Sequence, residues 1–434
     1  MNICVIGCGY VGITCAVCFS RLGYRVVGLD NDPGKVKLLQ QKKPPIYEQY
    51  LEEFLVQDGG NLSFTYDPSV LAEAEVVFIT VPTPVSIEGN WDLSYLESAA
   101  HSISEHISGH TLIVNKCTAP VGTTEKVGQW ITEAGVSPSE FEVLSNPEFL
   151  RQSTAILDFL HPYRIIIGGH SQEQRERLRH IFSPIINQDF PSPIPECSWQ
   201  ISTPVPTLLT TPRTAEMIKY ASNAFLATKI SYINEVGNIC REYGVDVNEV
   251  ARGMGLDSRI SPSFLEAGVG FGGSCLPKDT RALIGMGKTV GYQPKLLEAV
   301  LEVNREQPLK MVKLAESRVG DLAHKKVAVL GAAFKAGTDD TRESVAFTVV
   351  DELLTKKALP VIYDPMALEK VRQRFGDTII YAGSAREAII QCDCVLITTA
   401  WEEFRDTTLY DGKVVIDGRS TLSGIDSIEY ERIC

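Results

Sequence analysis

The stretch GVGFGGSCLPKD, residues 268–279, sets one thiol between four glycines and a Pro-Lys-Asp run. Glycines this dense let backbone approach backbone, or a ligand, where a Cβ would collide. Pro277 suits the first position of a helix, because its missing N–H is not needed there. Cys275 is then expected just before a helix N-terminus, where unpaired N–H groups favour negative charge and hence a thiolate. Lys278 and Asp279 follow at once and can tune it. The alternative is a structural cysteine packed beside a tight turn.

A second constellation lies at the start of the chain. NICVIG reads as a buried strand, GCGYVG (7–12) opens a helix, and YRVVGLD ends a second strand at Asp30. This is a strand–GxGxxG–helix–strand–acid unit, with the acid about 20 residues beyond the glycines, as dinucleotide binding requires. Gly7 makes the tight turn, Gly9 admits a diphosphate, and Gly12 lets helix pack on strand. Asp30 is placed for the ribose hydroxyls and favours NAD over NADP, since a 2′-phosphate would meet its charge. Between these sites, TAEMIKYASNAFLATKISYINEVGNICREYGV carries Met217, Ile218, Ala221, Phe225, Ile230, Ile233, Val236 and Ile239 mostly at helical spacing. Such a helix is core or a subunit interface. Lys219 and Asn223, four apart, share one of its faces; a Lys-Asn pair there is ordinarily solvated surface unless another domain covers it.

The elements that must position these residues form two related α/β halves. EVVFITVPTP (75–84), TLIVNKCTAPVG (111–122) and EVLSNPEFL (142–150) read as further strands whose Thr/Pro-rich ends lie along one sheet edge, bringing Glu148 there. From residue 325, KKVAVLGAAFKAGTDDTRES, ALPVIYDP, CVLITTAWEEF and KVVIDGRST repeat the order, Asp364 matching Asp30. The second half lacks a full GxGxxG. The fold class expected is α/β, two Rossmann-like doubly wound domains joined by a central long-helix region. The domains are placed at 1–200 (NAD binding), 201–315 (central, helical) and 316–434 (the second Rossmann-like half, which binds a nucleotide differently or not at all). PSPIPECSWQISTPVPTLLTTP (191–212) is read as the linker.

A length of 434 residues calls for two or three domains. The net charge of −13 and the absence of a long basic run exclude a nucleic-acid surface. No apolar run reaches a membrane span, and the chain enters a strand without a signal-peptide start, so a cytoplasmic protein is expected. Eleven cysteines, scattered, argue against a disulfide framework. Cys15-Ala-Val-Cys18 and Cys392-Asp-Cys394 are read as packing, and with seven histidines in no ligand spacing no metal is expected.

GCGYVG, VPTP, KCTAPVGTT, NPEFL, TAEMIKYASN, FLEAGVGFGGSCLPKD, GAAFKAGTDDTRES and DGRS, in this order, resemble the UDP-glucose/GDP-mannose dehydrogenases over essentially the whole chain. These are NAD-dependent enzymes that oxidise a sugar's primary alcohol to a carboxylate. GMGLDSRISPSFLEAGVGFGGSC is nearest to the members acting on UDP-glucose. Four electrons leave, so two NAD+ are consumed, and a thiolate holds the aldehyde as a thiohemiacetal and then a thioester. The resemblance implies Cys275 as nucleophile and Lys219 with Asn223 as oxyanion stabilisers. It implies Asp279 holding Lys219 or a water, Glu148 as base for hydrolysis, and Thr118 helping to hold the water. For NAD it implies Val11, Asp30, Lys35, Thr83, Thr118, Gln152, Lys278 and Arg342 besides the glycines. For the nucleotide sugar it implies Glu148, Phe149, Leu150, Arg151 and Gln152, together with Lys219 and Asn223. It adds the loop Phe264, Leu265, Glu266, Ala267 and Gly268, then Gly272, and Lys335 and Arg419 from the second α/β half. Arg259 matches an arginine that reaches a neighbouring subunit, implying a homodimer or larger.

Two residues depart from the family pattern. Gln152 replaces the glutamate of PEFLxE, losing a charge near the cofactor, and Ser261 stands where RIG is usual, leaving the local loop open. GDP-mannose is the alternative substrate through NPEFLRQSTAI and GGSCLPKD, and UDP-N-acetylmannosamine a weaker one, since those enzymes tend to carry His-Cys at Ser274-Cys275. A two-electron dehydrogenase would not need Cys275. A non-catalytic sensor of NAD and nucleotide would have no reason to keep Cys275, Lys219, Asn223 and Asp279 together.

Overall fold

The computed structural model describes residues 1–86, 89–191, 203–422 and 430–434. The chain divides into two compact units, Met1–Ala221 and Ser222–Cys434, the division falling inside the helix Pro212–Tyr243.

The first unit is built on eight strands: β1 (Asn2–Ile6), β2 (Arg25–Leu29), β3 (Leu62–Thr65), β4 (Val76–Ile79), β5 (Thr111–Asn115), β6 (Phe141–Ser145), β7 (Ile165–Gly168) and β8 (Thr207–Thr210). They lie in the order β3-β2-β1-β4-β5-β6-β7-β8. All neighbours are parallel except β6 and β7. Successive side chains of a strand point to opposite faces, so uniformly apolar strands must be covered on both. Ile3 and Val5, Val76 and Phe78, and Leu112 and Val114 face one core with Ile13, Ala16 and Val17 of the helix Tyr10–Arg21. Cys4 and Ile6, Val77 and Ile79, and Ile113 face the other. There they meet the helices Ser94–His106 and Thr123–Glu133 through Leu96, Ile103, Val127 and Ile131. Cys15 and Cys18 are fully buried in the first core, where burial pushes the Cys15 thiol up to about 12.

Part of the segment expected as linker, residues 192–202, lies outside the described residues. Its far end is β8, paired in parallel with β7, so the sheet continues past residue 200. Proline and threonine content hid a four-residue strand whose only apolar residues are Leu208 and Leu209.

The second unit holds β9 (Lys326–Leu330), β10 (Leu359–Tyr363), β11 (Ile380–Tyr381), β12 (Cys394–Ile397), β13 (Val414–Asp417) and β14 (Glu431–Arg432). These run parallel in the order β11-β10-β9-β12-β13-β14. Val327, Val329, Leu396 and Ile416 pack against the helices Lys295–Val319 and Val345–Thr355, and Ala328, Leu330, Val395 and Val415 against the helix Ala385–Ile390.

The repeat read from the sequence extends to individual hydrogen bonds. Gly7 and Gly331 both turn with positive φ, 91° and 98°, directly after the first strand of each sheet. Their N–H groups donate to the carbonyls of Leu29 and Tyr363. Asp30 Oδ2 accepts the N–H of Cys8 at 2.7 Å, and Asp364 Oδ2 those of Ala332 and Ala333 at 2.7 and 3.0 Å. Thr80 and Thr398 each donate one hydroxyl to the last strand residue and the turn glycine. Each half thus spends a carboxylate and a threonine on fixing its first turn.

Candidate active site

In the first unit, Gly12 sits where an added Cβ would come within 1.8 Å of the Gly7 carbonyl, so helix and turn meet only through glycine. Gly9, the N-cap of the helix Tyr10–Arg21, has no atom within 4 Å of its would-be Cβ and no side chain capping the helix. Free N–H groups beside open space fit a diphosphate. Val11 lies in that first turn. Asp30, buried, accepts from Cys8 N–H, Asp32 N–H and Lys35 Nζ, the last at 2.8 Å. A carboxylate has about four acceptor positions, so one remains for a ribose hydroxyl. NAD, when bound, would therefore be held by this turn and by Asp30, with Lys35 beside it. Asp30→Ala is expected to weaken NAD binding at least ~10-fold while changing nucleotide-sugar binding less than about threefold, since it removes both a ribose acceptor and the brace under Cys8. Titration calorimetry with each ligand separately checks this, and equal losses would contradict the assignment. Thr83, in the turn after β4, donates through Oγ1 to the Thr118 carbonyl at 2.7 Å, joining two of the edge turns.

The end of β6 delivers a buried ionic cluster. Glu148 Oε1 accepts from Lys219 Nζ at 3.0 Å and Oε2 from Leu150 N–H at 2.6 Å. Burial alone would raise the Glu148 pKa, but Lys219, the Leu150 N–H and Lys116 hold it below the ordinary carboxylate value. A pKa lowered in this way favours the carboxylate form. Lys219 is 3% exposed, so the alternative of a solvated Lys-Asn face does not describe it: the lysine turns inward to a carboxylate. Its ammonium also lies 5.3 Å from the Phe149 ring, and Arg164 stacks on that ring at 4.0 Å. Arg151 forks onto Asp158 and Gln152 follows it in the same turn. Sequence reasoning missed the support beneath: Lys116 Nζ donates to Asn146 Oδ1 at 2.9 Å, and Asn146 Nδ2 to the Ile166 carbonyl at 2.8 Å. Burial lowers the Lys116 pKa. A lysine inside an otherwise apolar strand end was the available signal.

In the second unit, Cys275 is the N-cap of the helix Leu276–Thr289, as expected. Pro277 is a correction by one position: Leu276 takes the first helical place and the proline the second, where its absent N–H is equally harmless. Asp279 N–H donates to the Cys275 carbonyl at 2.8 Å, closing the first turn and placing the two residues on one face. Asp279, 1% exposed, accepts from Asn223 Nδ2 at 2.6 Å through Oδ2 and from Lys278 Nζ through Oδ1. Asn223 is itself buried, again contrary to a solvated face. The glycines before the cysteine serve close packing. A Cβ on Gly272 would come within 2.2 Å of the Glu343 carbonyl, and Gly273, at φ 86°, donates its N–H to the Arg342 carbonyl. The thiol is therefore tied to the loop after β9. Arg342 forks onto Asp340, which raises its pKa, with a smaller contribution from Cys275.

The loop predicted for the nucleotide sugar divides by side chain. Leu265 and Ala267 are buried and anchor it, Glu266 is exposed, and Phe264 and Ser261 have positive φ of 65° each. Ser261 thus occupies a left-handed conformation that glycine takes at no steric cost. Gly268 N–H donates to Asn234 Oδ1 at 2.7 Å. Arg419, after β13, donates to the carbonyls of Thr398 and Gly270, and burial pushes its pKa down to about 10. Its Nη2 is buried with no partner among the described residues, a donor suited to an anion such as a diphosphate. Lys335 lies 5.8 Å from the Phe334 ring in the loop after β9. Arg259 is exposed and forks onto Asp257. Among the described residues no three His, Cys, Asp or Glu side chains are grouped to hold a metal ion, and no helix is long and apolar enough to cross a membrane.

Residues 1–186 match the NAD-binding domain, 213–306 the central domain and 328–424 the UDP-binding domain of the UDP-glucose/GDP-mannose dehydrogenase family. A UDP-glucose 6-dehydrogenase from Haloferax volcanii is 39% identical over the whole of both chains. A solved UDP-glucose dehydrogenase from Pyrobaculum islandicum is 40% identical with a TM-score of 0.90, covering 100% of this chain and 97% of that one. A GDP-mannose dehydrogenase from Pseudomonas aeruginosa is 31% identical with a TM-score of 0.55, covering 100% of both chains. The turn, the buried carboxylate cluster and the helix-capping thiol lie within these matched spans, and the chain belongs to the UDP-glucose/GDP-mannose dehydrogenase family.

Proposed function

We propose that the protein oxidises UDP-glucose to UDP-glucuronate with two NAD+ and one water, releasing two NADH and three protons. The observation that carries this reading is the Cys275 thiol one helical turn before a buried Asp279 that is fixed by Asn223. A two-electron dehydrogenase has no use for that arrangement. NAD, when bound, accepts hydride from the sugar carbon in each of the two oxidations. Cys275 adds through Sγ to the aldehyde carbon, and Lys219 and Asn223 stabilise the oxyanion that forms. Loss of the second hydride from this thiohemiacetal leaves a thioester on Sγ. Glu148 takes a proton from water as the water attacks the thioester carbon, with Thr118 helping to orient it, and the C–S bond breaks to return the thiolate. Arg419, whose buried Nη2 has no partner among the described residues, and Lys335 would hold the nucleotide's phosphates.

The identity and TM-score of the UDP-glucose dehydrogenases support UDP-glucose over GDP-mannose. Phe225, Tyr232, Ile239 and Tyr243, exposed along the helix Pro212–Tyr243, repeat every seven and then four residues, which supports a homodimer built on that helix. The described cysteines form no disulfide, and the reading places the protein in a reducing, cytoplasmic setting. Limiting UDP-glucose run to completion is expected to yield two NADH per sugar nucleotide. One NADH would sink the thioester route, and two from GDP-mannose alone would keep the route and change the sugar.

A further inference from the structure

Glu216 has no part in the chemistry set out above, yet it is 3% exposed and fully engaged. It lies one helical turn before Lys219 on the helix Pro212–Tyr243. Its Oε2 accepts the N–H of Gly122 at 2.7 Å, and its Oε1 accepts the N–H of Thr124 at 2.8 Å and the Thr124 hydroxyl at 2.6 Å. The helix Thr123–Glu133 begins at Gly122, φ 98°, with no side chain of its own capping it. A carboxylate from a residue more than ninety positions away therefore supplies the cap. The turn it holds runs back through Thr123, whose N–H and hydroxyl both bond the Pro120 carbonyl, to Thr118, whose carbonyl accepts from Thr83. Lys219, on the other side of Glu216, holds Glu148. The base for hydrolysis and the threonine that orients its water thus reach one another through Glu216.

We propose that Glu216 is a positioning residue for thioester hydrolysis, clamping the turn that carries Thr118 to the helix that carries Lys219. This rests on the four-electron reading above. Thr118 and Lys219 also serve NAD and the sugar in that reading, but hydrolysis alone needs Glu148, Thr118 and a water aligned together, so loosening the clamp slows the last step most and leaves the acyl group on Cys275. Placement errors of about 1 Å cost on the order of 100-fold in rate.

The test compares the wild-type enzyme with Glu216→Ala and Glu216→Gln at saturating NAD+ and UDP-glucose. Intact mass after acid quench reads the fraction of Cys275 carrying the sugar acyl group, and steady-state assays read kcat and KM. Glu216→Ala is expected to lose kcat by about 100-fold, keep kcat/KM for UDP-glucose within about threefold because KM falls with kcat, and accumulate the adduct. Glu216→Gln retains one acceptor oxygen, so it is expected to recover part of the rate and carry less adduct. A general loss of structure would lower the active fraction without building up adduct. Should Glu216→Ala fail to fold, Thr124→Val removes the hydroxyl bond alone, and adduct is expected to rise there too. Wild-type kcat in Glu216→Ala, or reduced kcat with no adduct in any variant, overturns the proposal. The wild-type control separates the two readings: one NADH per UDP-glucose removes the thioester itself, whereas two NADH with an unaffected Glu216→Ala removes only the role of Glu216.

Discussion

Cys275→Ser is expected to end complete oxidation, lowering steady-state NADH production by at least ~1,000-fold. A serine hydroxyl is close in size and caps a helix as well as or better than cysteine, so the helix Leu276–Thr289 should form unchanged. What it lacks is a readily ionised nucleophile: an alcohol is almost wholly protonated at neutral pH, and Asp279, one helical turn on, is already occupied by Asn223 and Lys278. An ester is also a poorer acyl donor than a thioester. The variant should bind NAD and UDP-glucose with near-wild-type affinity and retain the melting temperature. Stopped-flow absorbance at the NADH band and mass spectrometry of the quenched protein check this. Turnover within tenfold of wild type would falsify the nucleophile assignment.

Lys219→Ala is expected to act on both catalysis and stability. The ammonium and the Glu148 carboxylate form a pair with side chains 4% and 8% exposed. Removing one member of such a pair leaves the other charge buried, at about 3–5 kcal/mol. Loss of a preorganised oxyanion stabiliser costs a further ~100- to 1,000-fold in kcat. The pH dependence gives a sharper signature. In the intact protein the Glu148 pKa lies below its ordinary value, so its contribution to stability is present above the ordinary carboxylate pKa and fades as pH falls through the lowered one. Without Lys219 the largest remaining influence is burial, which raises the pKa. The acid limb of the activity profile should move toward neutral pH, while the stability contribution of Glu148 should reverse sign, falling as pH rises through its raised folded pKa. Thermal melts and kcat measured across pH 4–8 test it, and an unmoved acid limb would mean that Lys219 does not govern Glu148.

Most central strands were legible because they are short, apolar runs and because Gly7 and Gly331 punctuate them, although β3 and the fully buried β7 went unread. The edge strands were not: β11 and β14 are two residues each and carry no apolar pattern of their own. The thiol, its helix and Asp279 could be placed from spacing alone, since one turn of helix fixes them. The partners of long side chains could not. Lys219 to Glu148 and Glu216 to Thr124 span 71 and 92 residues, and no local periodicity encodes such pairs. Glu216 in particular reads on the sequence as one more helix-surface carboxylate.

The duplicated turn bears on how acidic residues in such folds are interpreted. Asp30 and Asp364 stand at the same strand end and accept from backbone N–H groups of the preceding turn, although the helix in the second half starts only at Val345, well beyond its glycine. Where Gly9 leaves room for a visitor, its counterpart is Ala333, whose N–H is already taken by Asp364. An acid at this place thus braces the turn in both halves, so its presence alone does not mark a dinucleotide site. What distinguishes the halves is the open turn at Gly9 and the helix that begins beside it.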